Sequence, residues 1–168
     1  MKIRVSSVQY HLHTIQSFEE FAQQCEHYVK AALEFDAEFI LFPEFLTTQL
    51  LSIKDANGTM LTINDLPSFT EPYRNLFSSF AKRYNVHIIG GTHVIEINGQ
   101  LQNTAHLFYP DGQIKMQAKL HITPTEVHEW NMAAGHTLEV FDTVKGKIAL
   151  LTCYDIEFPE IVRMAKAK

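Results

Sequence analysis

Three residues with reactive side chains each follow an apolar run of the sequence. Glu44 follows FILFP, Lys119 follows IKMQA and Cys153 follows IALLT. Ligands collect beyond the carboxyl ends of strands in sheets that are covered by helices, so we expect these side chains to meet around one pocket. A glutamate, a lysine and a thiol can supply a general base, an oxyanion donor and a nucleophile. Each residue alone is a weak signal, because a charged residue at a strand end usually lies on the surface and an isolated cysteine is more often inert than catalytic.

The chain has two cysteines, and their surroundings differ. Cys25 lies on the apolar side of a predicted amphipathic helix, where a free cysteine serves as a small hydrophobic residue. Cys153 comes at a turn between a predicted strand and a helix that starts near Pro159. Backbone N–H groups in such a turn favour a thiolate, so we expect Cys153 to be the reactive one. Two cysteines do not suggest a disulfide framework and fit a reducing, cytoplasmic location.

The amino-acid composition indicates which kinds of molecule the protein could bind. The 168 residues are 46% hydrophobic and 20% charged, with a formal net charge of −5 and basic residues that are scattered along the chain. This distribution argues against binding to nucleic acid or to an anionic membrane and favours a small-molecule substrate. No apolar stretch is long enough to span a bilayer, and the first residues lack the apolar core of a secretory signal.

The segments that must position these residues alternate between strand and helix before they change to hairpins. A capping pair, Ser17 and Glu20, predicts the start of the first helix, and Pro72 lies in the first turn of the second. Gly90 and Gly91 indicate a bulge or a close backbone approach rather than a phosphate loop. In chain order the predicted elements are the strand KIRVSSVQY, a helix, the strand FILF, a helix, a meander from residue 86, and the hairpin LEVFDT with KIALLT.

The segments FPEF, AKLHITPTE and LTCYDIEFPE resemble, in order and spacing, the three signature motifs of the nitrilase superfamily of carbon–nitrogen hydrolases. The resemblance spans almost the whole chain. It implies an α/β fold, a four-layer α-β-β-α sandwich, formed by a single domain over residues 1–168. Family members normally continue well beyond the helix that follows the cysteine, so we expect this domain to be incomplete at its carboxyl end.

The resemblance also implies a mechanism and its residues. Glu44 would take the proton from Cys153, whose thiolate attacks the substrate and forms a thioester. Lys119 and the backbone N–H of Tyr154 would hold the oxyanion. The expected activity is that of an amidase-type hydrolase acting on a small amide, although the family's substrates also include carbamoyl compounds and nitriles. No metal or cofactor is required.

A second glutamate belongs to the implied site. Glu126 follows Lys119 by seven residues and is expected to pair with it, with Glu129 as the lesser candidate. A buried lysine beside a glutamate needs such additional partners. Trp130 and Tyr154 could line the acyl pocket or serve only in packing.

The histidines give two competing hypotheses. His121 or His128 could form a Cys-His dyad with Cys153, but no feature of the sequence directs an imidazole toward the thiol. His11 and His13 could bind a metal, but they lack cysteine or acidic partners at ligand spacing. Both hypotheses are weaker than the Glu-Lys-Cys site.

Two alternatives to an amide hydrolase remain. The same three residues could transfer the acyl group to an amine, which would make the protein an acyltransferase. A truncated chain could instead be a non-catalytic assembly partner. Half of a sandwich leaves apolar surface and strand edges uncovered, so we expect a homo-oligomer or association with a complementary chain.

Overall fold

A computed structural model describes residues 2–168 and shows one five-stranded sheet with helices on one face. The strand order is β1-β2-β3-β4-β5, with β1, β2 and β3 parallel and the last two pairings antiparallel. A separate hairpin pairs β6 with β7. Within this part of the chain no helix is both long and apolar enough to cross a membrane.

The longest elements are helices α1 and α2 and strands β3 and β4, and the other α-helices and strands are shorter. The strands are β1 (Val5–Ser7), β2 (Phe39–Leu41), β3 (His87–Ile97), β4 (Gln100–Phe108), β5 (Ile114–Ala118), β6 (Phe141–Thr143) and β7 (Gly146–Ile148). The α-helices are α1 (Phe18–Leu33), α2 (Thr70–Tyr84), α3 (Pro124–His128) and α4 (Pro159–Ala167). Further 3-10 turns cover Leu46–Ser52, Ile63–Phe69 and Cys153–Glu157.

The main core lies between the sheet and the helices α1 and α2. Apolar positions of α1 recur at helical spacing and are fully buried, including Cys25, as the sequence predicted. Burial raises the pKa of the Cys25 thiol, so this cysteine is an inert part of the core. Ser17 caps α1 by accepting the N–H of Glu20, whereas the Glu20 carboxylate accepts the N–H of Gln16. The reciprocal bond therefore reaches one residue further than a standard capping box.

A β-bulge interrupts the pairing of β3 with β4 between Ile89 and Thr92. Gly91 has a φ of +71°, and a Cβ at this position would overlap the carbonyl oxygen of Pro43. Only glycine allows β3 to approach the end of β2 so closely. The prediction of a bulge or close approach at Gly90 and Gly91 is confirmed.

The predicted last hairpin is much shorter than expected. KIALLT forms a strand only up to Ile148, and LEVFDT only from Phe141. Residues 149–152 run on without a ladder, because no strand within residues 2–168 pairs with them. An apolar sequence favours a strand but does not provide the neighbouring strand that completes it.

The second face of the sheet carries a smaller apolar cluster and is partly open. Phe39, Leu107, Phe141 and Leu150 are buried there. Beside them lies an apolar concavity of about 520 Å³. Val5 at its edge is 59% exposed, so this face is only partly covered by the described residues.

Two buried histidines lie under helix α2. The imidazole of His93 is hydrogen-bonded on both sides, to the hydroxyls of Thr47 at 2.9 Å and Thr70 at 3.0 Å. His106 has one ring nitrogen 3.1 Å from the carbonyl oxygen of Thr104. Burial is the main cause that lowers the pKa of each imidazole to about 3, and the charge of Arg74 contributes. Both rings are therefore neutral in the folded protein.

We predict an acid-sensitive fold. As pH falls from about 6.5 to about 3, the unfolded chain protonates these two imidazoles while the folded chain does not, so the free energy of unfolding falls by on the order of a few kcal/mol. Urea denaturation at several pH values measures this fall. His106→Leu should make it smaller, whereas His27→Gln, at an exposed site of α1, should leave it unchanged. Identical pH dependence in His106→Leu and the parent chain would contradict the prediction.

Candidate active site

Glu44 lies just beyond the end of strand β2, in a turn that the bulge of β3 shapes. The N–H of Thr92 donates to the carbonyl of Pro43, and the N–H of Phe45 donates to the Thr92 hydroxyl at 2.7 Å. Phe45 has a φ of +54°, an unusual value for a large side chain. These contacts fix the turn and leave the Glu44 side chain 23% exposed.

Lys119 follows strand β5 directly, and its side chain is 1% exposed. Its ammonium group donates to Glu44 Oε1 at 2.8 Å and to Glu126 Oε2 at 2.7 Å. Burial alone would lower the pKa of Lys119, but the hydrogen bonds and charges of Glu126 and Glu44 outweigh it and raise the pKa. Lys119 is therefore a charged ammonium between two carboxylates. The structure brings together three of the residues that the sequence singled out.

Glu126 lies in the first turn of the short helix α3. Thr123 caps this helix, and both its N–H and its hydroxyl donate to Glu126 Oε2 at 2.8 Å. Burial would raise the pKa of Glu126, but the hydrogen bonds from Lys119, Thr123 and Asn103 outweigh it and lower the pKa. Glu126 is thus a buried carboxylate. Glu129, the lesser candidate, is exposed at the end of α3.

Asn103 is a member of this cluster that the sequence reasoning missed. Its amide nitrogen donates to Glu44 Oε1 and to Glu126 Oε1, both at 2.8 Å. Its backbone carbonyl accepts the N–H of Lys119 at 2.8 Å. The available signal was an asparagine inside the otherwise strand-like run QLQNTAHLF, where such a residue is uncommon.

Cys153 begins the 3-10 turn and has a φ of +47° with an exposed side chain. Burial is the first cause that raises the pKa of its thiol, followed by the charge and hydrogen bonding of Glu44. Lys119 and the backbone N–H of Tyr154 act in the opposite direction but are outweighed. Burial and the nearby carboxylate thus favour the protonated thiol in the resting site, and they outweigh the backbone N–H of Tyr154, which favours a thiolate.

The Asp155 side chain links the 3-10 turn that begins at Cys153, the cysteine turn, to the residues that follow Lys119, the lysine segment. Its buried carboxylate accepts the backbone N–H groups of Leu120 at 3.1 Å and His121 at 2.7 Å through Oδ1. Its Oδ2 accepts the N–H of Thr152 at 3.1 Å. One carboxylate therefore holds the residues that directly follow Lys119 against the residue that precedes Cys153.

His121, one candidate for a Cys-His dyad, contacts an aspartate and a phenylalanine. The Nδ1 atom of His121 lies 3.0 Å from Asp155 Oδ1, and its ring stacks on Phe158 at 3.8 Å between centroids. His128 is exposed. No group of three or more His, Cys, Asp or Glu residues within 2–168 is arranged to hold a metal ion, and the rings of His11 and His13 stack on each other.

The aromatic residues proposed for the acyl pocket have packing partners. Trp130 contacts Phe45 edge-to-face, with 5.2 Å between ring centroids. Tyr154 contacts Phe158 in the same manner, also at 5.2 Å. Trp130 thus lies against the turn that carries Glu44, while Tyr154 packs within the cysteine segment.

The chain belongs to the carbon-nitrogen hydrolase family, whose pattern matches residues 4–168. It is 47% identical to the probable hydrolase YhcX of Bacillus subtilis, over 99% of this chain and 32% of that protein. It is 26% identical to the omega-amidase NIT2 of Xenopus tropicalis, over 99% of this chain and 60% of that protein. The chain therefore spans about a third of the first relative's length and less than two thirds of the second's.

Solved structures confirm the nitrilase-type α/β fold. Saccharomyces cerevisiae Nit3, a member of the nitrilase superfamily, aligns with a TM-score of 0.76 at 19% identity and covers 97% of this chain and 59% of its own. An amidase from Nesterenkonia sp. aligns with a TM-score of 0.74 at 21% identity, over 98% of this chain and 60% of its own. At such identities the likeness concerns the fold alone.

We predict that Asp155→Asn loosens the cysteine turn. An amide cannot accept hydrogen bonds at both of its ends, so either Thr152 or the lysine segment loses its acceptor. Alkylation of Cys153 by iodoacetamide, followed by peptide mass spectrometry, should slow about tenfold or more, because small displacements of reacting groups are costly. Glu157→Gln, on the exposed side of the same turn, is the matched control. Equal rates in the two variants would exclude this role of Asp155.

Proposed function

We propose that this chain carries the active site of an amidase-type carbon–nitrogen hydrolase, which cleaves a small amide through a thioester on Cys153. The observation that carries the proposal is the Lys119 ammonium held between Glu44 and Glu126, next to a thiol whose pKa is raised by burial and by the Glu44 carboxylate. The printed names of the omega-amidase and of the Nesterenkonia amidase support an amide as the substrate class.

Glu44 acts as the general base in this mechanism. Within residues 2–168 the N–H donors to its carboxylate, from Lys119 and Asn103, both reach Oε1. Oε2 is therefore the oxygen that takes the proton from Cys153 as the sulfur attacks the substrate carbonyl carbon. Since the thiol is protonated at rest, proton transfer and attack are coupled.

The oxyanion that forms on the carbonyl oxygen is stabilised by two donors. Two of the three N–H bonds of the Lys119 ammonium are directed at carboxylates, which leaves one for the oxyanion. The backbone N–H of Tyr154, in the turn that starts at Cys153, is the second donor. Collapse of the tetrahedral intermediate breaks the carbon–nitrogen bond, and Glu44 gives its proton to the leaving amine.

Hydrolysis of the thioester regenerates the site. Glu44, again a carboxylate, removes a proton from water, which attacks the thioester carbon and releases a carboxylic acid and the thiol. Glu126 contributes by keeping Lys119 charged throughout the cycle, because Glu44 is neutral in the intermediate steps. The two glutamates therefore have different functions, one exchanging a proton and the other holding a charge.

The partly open second face of the sheet supports a further proposal about assembly. Val5 and Leu41 expose apolar surface there, beside the concavity. Such a surface favours association with a second copy or with a complementary chain. Light scattering coupled to size-exclusion chromatography measures this, and a monodisperse monomer that binds no hydrophobic dye would exclude it.

We predict that Cys153→Ala abolishes acyl-enzyme formation. A panel of small amides is mixed with the protein, and mass spectrometry detects the covalent acyl adduct. Cys25→Ala is the matched control, since that thiol lies in the core and its variant should retain the adduct. An adduct that persists in Cys153→Ala would refute the assignment of the nucleophile.

We also predict that Lys119→Met and Glu44→Gln each reduce amide turnover about a hundredfold or more, the usual cost of removing one oxyanion donor or a general base. Lys115→Met, an exposed lysine on the same strand β5, should retain turnover. Near-normal rates in either site variant would remove that residue from the mechanism. An added amine that yields a new amide would identify acyl transfer instead of hydrolysis.

A further inference from the structure

Asn103 occupies a position where its amide bridges two carboxylates from separate segments. The residue is 1% exposed, in the middle of strand β4. Its single NH₂ group has two hydrogens, and each is donated to one glutamate, Glu44 or Glu126. The opposite orientation of the amide would point Oδ1 at two negative charges, so electrostatics fix the observed one.

This arrangement has a cost that simple packing does not explain. The Oδ1 atom of Asn103 is buried and has no hydrogen-bond partner among residues 2–168. Burying an unpaired carbonyl oxygen destabilises a protein, and an apolar residue of similar size would avoid this penalty. The compensation must come from the two N–H groups, which are directed at the proposed base and at the partner of Lys119.

Asn103 and Lys119 both donate hydrogen bonds to the same oxygen of the Glu44 carboxylate. Both donors reach Oε1, so this oxygen already accepts two hydrogen bonds, whereas within residues 2–168 neither donor reaches Oε2. The backbone of Asn103 also accepts the N–H of Lys119, which ties the two donors together. A carboxylate held in this way can rotate little, and its second oxygen remains available to accept a proton.

We propose that Asn103 is a positioning residue for the reaction, which holds Glu44 through Oε1 so that Oε2 is the oxygen that exchanges protons with Cys153. The proposal rests on the proposed function, because it assigns Asn103 a role through Glu44. The titratable groups that face Glu44 are Lys119 and Cys153, with Glu126 beyond the bridge.

The test uses the rate at which iodoacetamide alkylates Cys153 in the full chain, from about pH 5 to about pH 9, with Cys25 as the internal reference. The acid limb of this profile reports how readily the site ionises the Cys153 thiol. In Asn103→Ala the Glu44 carboxylate loses one of its donors and is no longer held in place to take the proton of the thiol. We expect the acid limb to move upward by about one pH unit and the neutral-pH rate to fall.

Asn103→Asp is the second variant, since it keeps the shape but places a third carboxylate against the other two. Its acid limb should move upward further than that of Asn103→Ala. Gln102→Ala, the adjacent position on the same strand, is the matched control and should reproduce the parent profile. Circular dichroism and thermal melting verify that each variant is folded.

Each outcome decides the proposal. A lower rate with an unmoved acid limb in both variants would show a merely structural role and overturn it, and so would the failure of both variants to fold. If Cys153 is labelled fast and both variants show the pH profile of the parent chain, the role proposed for Asn103 is refuted while the proposed function stands. If Cys153 in the parent chain reacts no faster than Cys25, the proposed function itself fails.

Discussion

The burial of one lysine between two carboxylates is the constraint on which the rest of the site depends. Moving an ion out of water costs several kcal/mol, and removing one partner of a buried pair costs about 3–5 kcal/mol. The ammonium of Lys119, 1% exposed, is stable only because Glu44 and Glu126 both accept its hydrogen bonds. The two carboxylates and one ammonium leave one negative charge in excess. Hydrogen bonds that Asn103 and Thr123 donate to the carboxylates stabilise this charge.

The fold meets this constraint by bringing together separate parts of the chain. The bulge at Gly91 lets strand β3 approach Pro43 and sets the turn that carries Glu44. The pairing of β4 with β5 brings Lys119 beside Asn103, and the cap of α3 orients Glu126. Each of these local structures positions one side chain. The long-range pairing of the strands then brings these side chains together at one end of the sheet, which forms the site.

The sequence predicted the positions that depend on local patterns. The apolar runs placed Glu44 and Lys119 just beyond strand ends, and helical spacing placed Cys25 in the core. Residues whose roles depend on contacts across the fold were missed. An asparagine within a strand is uncommon and an aspartate within a turn is ordinary, but neither pattern indicates which distant residues the side chain contacts. Asn103 and Asp155 belong to this group. The extent of the strand after Gly146 was wrong for the same reason, since a ladder requires a neighbour.

The protonated resting state of Cys153 follows from the same balance of charges. Burial raises the pKa of its thiol most, and the negative charge of the neighbouring Glu44 carboxylate, the proposed base, raises it further. Lys119 cannot offset it fully, because two of its hydrogens are directed at Glu44 and Glu126. A substrate carbonyl that takes the remaining N–H would accept the negative charge that leaves the sulfur. In the proposed mechanism, nucleophile activation and oxyanion stabilisation are therefore one electrostatic event, and the thiol gains its reactivity when the substrate is bound.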